Sequence, residues 1–520
     1  MQLTIFETSD IHGYLYPSLY QERKENQDFG LFKIAAKLKE EKKKAKGPVI
    51  QIDNGDFIQG SPLSYYIVKE KGTAEQLMQA LDELAIDAAT IGNHEFNYGM
   101  PYLLSAIQSA KHPVLAANVL NEAGEPAFGN GYTILEREGV KIAVLGLVTQ
   151  YIPHWEHPEN YRGLTFQSAV ECAKEYVPKL RNEADVVIVS YHGGFERDLE
   201  TGEPTEILKG ENEGYQILEE VPGIDVLLTG HQHRQIAEVW NGIPVVQPGH
   251  KGEKIGKVTL TIEKTNEGVQ ITNPTAELLS VEDVQADAEL ANEFDALNEE
   301  VESWLDQVIG EVEGDMTIED VHQARIVEHP YVEFIQKVQM HYGECDISGT
   351  ALFNNDAKGF GNQVTMRDVV TNYIYPNTLA VSKITGADLK AALELSAEYF
   401  DVKEDGKIGV SRDFIVPKPK QYNYDMYEGI DYTIDPALPR GERILSLTYK
   451  GKEVLPEDSL EVVMNQYRAV GGGDFSMFNA DQIIREVTIS MPELIGDYFK
   501  EHPLVKAEAN RNFTVLDPKK

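Results

Sequence analysis

Five short segments hold side chains able to bind cations and move protons. They are Asp10-Ile11-His12, Asp53-Asn54-Gly55-Asp56, Gly92-Asn93-His94-Glu95, Tyr191-His192-Gly193-Gly194 and Gly230-His231-Gln232-His233. The chain has 13 histidines, and five of them, His12, His94, His192, His231 and His233, lie in these segments. Carboxylate, imidazole and one amide, with no thiolate, suit two hard or borderline divalent ions such as Zn²⁺, Mn²⁺ or Fe²⁺, and not a closed structural zinc site. Taken singly, each segment has an ordinary explanation: a turn-capping Asp, turn chemistry in a Gly-rich loop, or one face of a strand. Their joint placement argues otherwise. Each follows the C-terminal end of a strand predicted from the sequence, at 3–8, 49–53, 88–91, 185–190 and 225–229, and that edge is where open α/β sheets bind ligands. Asp53, the first acid of its loop, reads as a turn residue and is left out of the ligand set.

The elements that must position these groups follow an α/β pattern. Further strands are expected at 114–117, 141–147, 244–247 and 257–262, with amphipathic helices at 32–46, 73–84 and 168–183. Strands alternating with helices predict a layered α/β domain. The stretch 257–279 alternates polar and apolar residues, as an antiparallel edge or a second sheet does. The acidic segment 281–309 reads as a solvated helix packed on the first domain, and 329–342 as a second amphipathic helix. Beyond it the texture becomes mixed α+β, with many turns and aromatics. We therefore expect domains at 1–325 and 343–520, joined by a hinge helix at 326–342.

Composition narrows the partners. The 520 residues are 42% hydrophobic and 25% charged, as in ordinary globular proteins. With 85 Asp+Glu against 47 Lys+Arg, the formal charge is −38. That field repels polyphosphate backbones, so long nucleic acid is an unexpected partner, whereas a small anion held through bound cations is not. Two cysteines, Cys172 and Cys345, cannot build a disulfide framework. The start, Met1 to Glu7, reads as a strand and not as a signal peptide, and no apolar run approaches the roughly 18 residues that cross a bilayer. A cytoplasmic location without membrane contact is the expectation, although an exported protein stripped of its leader reads the same. Monomer and dimer are equally open.

The order of the five motifs resembles the calcineurin-like dinuclear metallophosphoesterases. More narrowly, it resembles the two-domain 5′-nucleotidase family, over nearly the whole chain. The resemblance implies an α/β fold: a four-layer αββα metallophosphoesterase domain followed by a smaller α+β nucleoside-binding domain. The stretches 373–379 (Tyr-Ile-Tyr-Pro-Asn-Thr-Leu), 422–425 (Tyr-Asn-Tyr-Asp) and 465–475 (Asn-Gln-Tyr-Arg-Ala-Val-Gly-Gly-Gly-Asp-Phe) look like the 2′,3′-cyclic-nucleotide 2′-phosphodiesterase/3′-nucleotidase branch. Two departures from the 5′-nucleotidase branch point the same way. That branch carries Asp three residues after its catalytic His, where this chain has Asn97. It also carries a Gly-rich loop with an Arg that holds the substrate phosphate, where residues 353–359 here have none.

The resemblance also implies roles. Asp10, His12, Asp56 and His233 would hold one divalent ion, and Asn93, His192, His231 and the shared Asp56 the other. Hydrolysis would proceed by a metal-bound hydroxide, without a covalent enzyme intermediate. His94 would stabilise the phosphoryl transition state or protonate the leaving oxygen, oriented by Asn97. Tyr467 would stack on the base with Tyr422 or Tyr424 opposite, while Gly472 and Asp474 would approach the ribose. The small nucleotide substrate could instead be a 5′-nucleotide or a nucleotide sugar. A non-nucleotide phosphoester, or a catalytically silent metal- and nucleotide-binding module, are the remaining readings.

Overall fold

The computed structural model describes residues 1–206, 208–265, 268–416, 418–487 and 489–518. It divides into two compact units, Met1–Val301 and Glu302–Lys520.

The first unit is built on two six-stranded sheets. One runs Gly268–Ser280, Lys254–Thr265, Gln2–Thr8, Val49–Asp53, Ala88–Thr90, Val114–Leu115, with its last four strands parallel. The other runs Gln235–Trp240, Ile243–Pro248, Val226–Thr229, Val186–His192, Val140–Val148, Tyr132–Arg137, parallel across its four central strands. Apolar runs such as Val-Val-Ile-Val are buried on both faces, as parallel strands between layers must be. Ile5, Ile50 and Ile52 of one sheet share a core with Val144, Ile188 and Leu228 of the other. On the second sheet's outer face, helix Ala169–Arg181 packs Val170, Ala173 and Val177 against Val187 and Val189. On the first sheet's outer face, Met78, Leu81 and Leu103 of helices Glu75–Asp82 and Gly99–Ser109 close against Ala89 and Val114. These layers make the αββα sandwich. The expected antiparallel edge is present, with Lys254–Thr265 pairing antiparallel to both neighbours.

The second unit is α+β. Its central sheet runs Asp425–Glu428, Ser348–Ala351, Ser459–Asn465, Leu379–Thr385, Ile483–Val487. A four-stranded sheet and helices Pro330–Gly343, Gly386–Ala397 and Met491–Glu501 complete its core.

Two expectations are corrected. The segment 326–342 is not a bare connector: helix Pro330–Gly343 buries Tyr331, Val332, Phe334, Ile335 and Val338 in the second unit's core, and the division between units falls earlier, at 301/302. The acidic stretch 281–309 is not one solvated helix. It forms Ala288–Glu293 and Asp295–Leu305, burying Leu290, Phe294, Leu297, Val301 and Leu305, and then strand Val308–Glu313. Among the described residues, no helix is long and apolar enough to cross a membrane.

Candidate metal centre

Each motif leaves a strand end and turns sharply. Asp10, His12, Asp56, His231 and His233 all sit at positive φ, between 54° and 66°. The loops are locked by backbone hydrogen bonds: Asp10 N donates to Gly55 O and His12 N to Asp56 O, both at 2.9 Å. A Cβ on Gly92 would collide with Asp56 Oδ1, so only glycine lets these two loops touch.

Two groups of potential ligand atoms result among the described residues: Asp10, His12 and His233, and Asp56, His192 and His231. In the first, His233 Nε2 lies 3.4 Å from Asp10 Oδ1 and 3.1 Å from His12 Nε2. In the second, His192 Nε2 lies 3.1 Å from Asp56 Oδ2. Asn93 joins it, its Oδ1 2.8 Å from His231 Nδ1. Asp10, Asp56 and His192 are at most 1% exposed.

The hydrogen bonds show what this arrangement lacks. His192 Nδ1 donates to Asn54 O (2.7 Å) and His12 Nδ1 to Gln59 O (2.9 Å), so in the neutral rings each Nε2 is a bare lone pair. The His192 lone pair faces a carboxylate oxygen, and neither atom has a hydrogen-bond partner. Buried acceptors in contact repel one another unless a cation lies among them, so the residues fit a divalent ion. Burial alone would lower His192, but the facing Asp56 carboxylate lifts it to about 10. His12 is held down to about 4 by burial, and His233 is pushed well below its ordinary range for the same reason, which leaves both rings neutral and able to accept a cation.

Carboxylates given no role in the sequence reading hold the loops. Glu95 Oε2 accepts from Asp56 N (2.9 Å) and Gly92 N (2.6 Å), and its Oε1 accepts from Phe57 N (2.6 Å). The only available signal was its place beside His94. Glu211 reaches His231 Nε2 at 3.2 Å from a loop that no motif marks. Asp53 accepts from Thr8 Oγ1 and Gly55 N, and burial raises it to about 7. It lies outside both ligand groups.

His94 adjoins the centre, its ring 5.3 Å from that of His12 and its backbone N–H donating to Asp56 Oδ1 (2.8 Å). Its Nδ1 lies 2.7 Å from Asn97 Oδ1. In the second unit, Arg468 is 1% exposed and binds Asp425 with two hydrogen bonds, of 2.7 and 2.9 Å. It also donates to Tyr422 O and Gly472 O, tying the Tyr422 segment to the Gly-rich loop. Tyr467 is half-buried with Gly472 beneath its ring, where a Cβ would strike it. Asp474 is half-buried at φ 71°. Tyr424 must be withdrawn as a stacking residue. It is 0% exposed, packed on Tyr399 and Phe400 in the core, with no face for a base.

Residues 3–235 match the family model described as calcineurin-like phosphoesterase, and residues 308–480 the one described as 5′-nucleotidase, C-terminal domain. The chain is 30% identical to the 2′,3′-cyclic-nucleotide 2′-phosphodiesterase/3′-nucleotidase of Salmonella typhimurium, over 91% of this chain and 82% of that protein. It is 28% identical to the trifunctional nucleotide phosphoesterase YfkN of Bacillus subtilis, over 99% of this chain but 39% of that longer protein. A Staphylococcus aureus protein provisionally named 5′-nucleotidase, solved with α-ketoglutarate, superposes at TM-score 0.92 with 38% identity, covering 99% of this chain and 100% of that one. The converging His and Asp side chains, the two units and these likenesses agree: the chain belongs to the two-domain 5′-nucleotidase family of calcineurin-like metallophosphoesterases.

Proposed function

We propose that this metal-dependent nucleotide phosphoesterase is a 2′,3′-cyclic-nucleotide 2′-phosphodiesterase and 3′-nucleotidase. The observation that carries the choice is the loop at 353–359, where the 5′-nucleotidase branch holds its substrate phosphate. It contains no arginine. The neighbouring Arg325 is 2% exposed and commits Nη2 to Leu352 O (2.7 Å) and Asn355 Oδ1 (2.8 Å), so it braces the loop from within. The name of the Salmonella relative supports the same reading.

In this reading Asp10, His12 and His233 would hold one divalent ion, and Asp56, His192, His231 and Asn93 a second, with the Asp56 carboxylate serving both. Two such ions, Mn²⁺, Zn²⁺ or Fe²⁺ by their donors, supply Lewis acidity at phosphorus and make water nucleophilic near neutral pH. His94 protonates the leaving ribose oxygen or stabilises the phosphoryl charge. Tyr467 and Tyr422 stack on the base, and Gly472 and Asp474 meet the ribose.

The test is kcat/KM on purified, Mn²⁺-loaded protein for 2′,3′-cyclic AMP, 3′-AMP and 5′-AMP. The first two should exceed the third by at least about tenfold, ~1.4 kcal/mol of transition-state discrimination. A 5′-AMP preference would instead establish the second reading, a 5′-nucleotidase, which the name of the Staphylococcus aureus neighbour favours. Nucleotide binding without turnover would support the silent module.

A further inference from the structure

Asn97 stands where the 5′-nucleotidase branch has a carboxylate, and the surroundings of its amide account for the difference. Its Nδ2 donates to Glu156 Oε2 at 2.7 Å. The other oxygen of Glu156 accepts from His157 N (2.8 Å) and from Asn160 Nδ2 (2.7 Å), and Asn160 Nδ2 also approaches Asn97 O (3.3 Å). Glu156 N donates in turn to Ile152 O (3.0 Å). The carboxylate is thus held at both ends and only accepts. That settles which way the Asn97 amide faces: NH₂ toward Glu156, oxygen toward His94 Nδ1, 2.7 Å away. His94 Nδ1 then donates to Asn97 Oδ1, and Nε2 is the atom left to face substrate.

We infer that Glu156 is a positioning residue for the phosphoesterase reaction: by orienting the Asn97 amide it sets the ring orientation of His94, and Asn97 and Glu156 form a matched pair in which neither can change alone. This rests on the reading that His94 serves the reaction.

Swapping the two chemistries tests the pair. In Glu156→Gln, the side chain cannot accept at both ends. If its oxygen keeps His157 N and Asn160 Nδ2, its NH₂ faces the Asn97 NH₂, and Asn97 must turn and present a donor to His94. In Asn97→Asp, two carboxylates meet across a 2.7 Å hydrogen-bond distance. In the double variant Asn97→Asp/Glu156→Gln every group is satisfied again. The introduced amide donates its NH₂ to the introduced carboxylate, and its oxygen accepts from His157 and Asn160. The second oxygen of that carboxylate accepts from His94.

The assay is kcat and KM on the full chain with Mn²⁺ for whichever of 2′,3′-cyclic AMP, 3′-AMP and 5′-AMP the wild type turns over fastest, each with a ribose oxygen that must take up a proton as it leaves, with circular dichroism checking each fold. Each single variant should lose about tenfold or more in kcat with KM little changed, as removal of an orienting partner does. The double variant should recover to within about twofold of wild type by the same logic. A double variant no faster than the slower single one, or a Glu156→Gln enzyme with wild-type kcat, overturns the proposal. His94→Gln separates the two levels. If it keeps full kcat, the role of His94 itself is wrong and the positioning role goes with it. If it is inactive while the swap fails to restore kcat, only the pairing is wrong.

Discussion

Asp10, His12, Asp56, His231 and His233 share a left-handed backbone that histidine and aspartate rarely adopt, at about 1–2 kcal/mol each. The strain puts each side chain back over its own strand end, toward the common centre. The loops hold because buried carboxylates collect their amide hydrogens, Glu95 above all. Burial, and then the nearby Asp56, raise the Glu95 carboxyl above its ordinary range. Its bonds to Phe57, Asp56 and Gly92 offset that cost. Glu95→Gln replaces one acceptor oxygen by a donor that faces other donors. The expected cost is about 1–3 kcal/mol in stability, together with at least about tenfold weaker Mn²⁺ binding. Chemical denaturation and isothermal titration calorimetry measure these. Wild-type affinity in this variant would show that the loops do not depend on Glu95.

Helix Pro330–Gly343 brings a second set of acids together. Glu328 and Glu333, at its start, meet Glu428 from the central sheet of the second unit, all three buried. Glu328 and Glu333 accept from the backbone N–H groups of Arg511 and Asn510, fastening the segment that leads into the last strand. Burial, and then the nearby Glu333 and Glu428, push Glu328 up to about 8. A carboxyl that holds its proton more tightly when folded favours the folded state at low pH. The folded protein then binds more protons than the unfolded chain, so this contribution falls as pH rises from about 4.5 toward 8. Glu328→Gln should flatten the fall in Tm between pH 5 and 8, the two bounds being roughly that window. Equal slopes for variant and wild type would show that Glu328 does not carry the pH dependence.

Each unit carries its own hydrophobic core, and both proposed ion groups belong to the first. Ions that bind only folded protein stabilise it by mass action, about 2.7 kcal/mol at 100 times Kd. Calorimetry of chelator-treated protein should therefore show one transition that rises on adding Mn²⁺ and one that stays in place. Two unmoved transitions would exclude stabilising ion sites. The −38 charge fits ions at the centre, because a phosphoester must approach against the molecule's field and needs a local reversal of sign.

Much of this was legible without coordinates, because it depends on periodicity and residue type. Alternating strands and helices predicted a layered α/β domain, the family resemblance implied its αββα layers, and the His and Asp at five strand ends named the residues that the fold brings together. Other features were set by contacts between residues distant in sequence. Tyr424 and Tyr422 have the same chemistry and nearly the same position, and only packing buries one among Tyr399 and Phe400 while leaving the other half-exposed. The boundary expected at 325/326 falls at 301/302 instead, because amphipathicity marks a helix without saying which core covers it. Glu95, Glu156 and Glu211 are three among 85 acids until the chain folds. Local sequence determines what a residue can do. Which lone pair it faces is decided when segments about 40 to 220 residues apart converge, as His12 and His233 do at 3.1 Å.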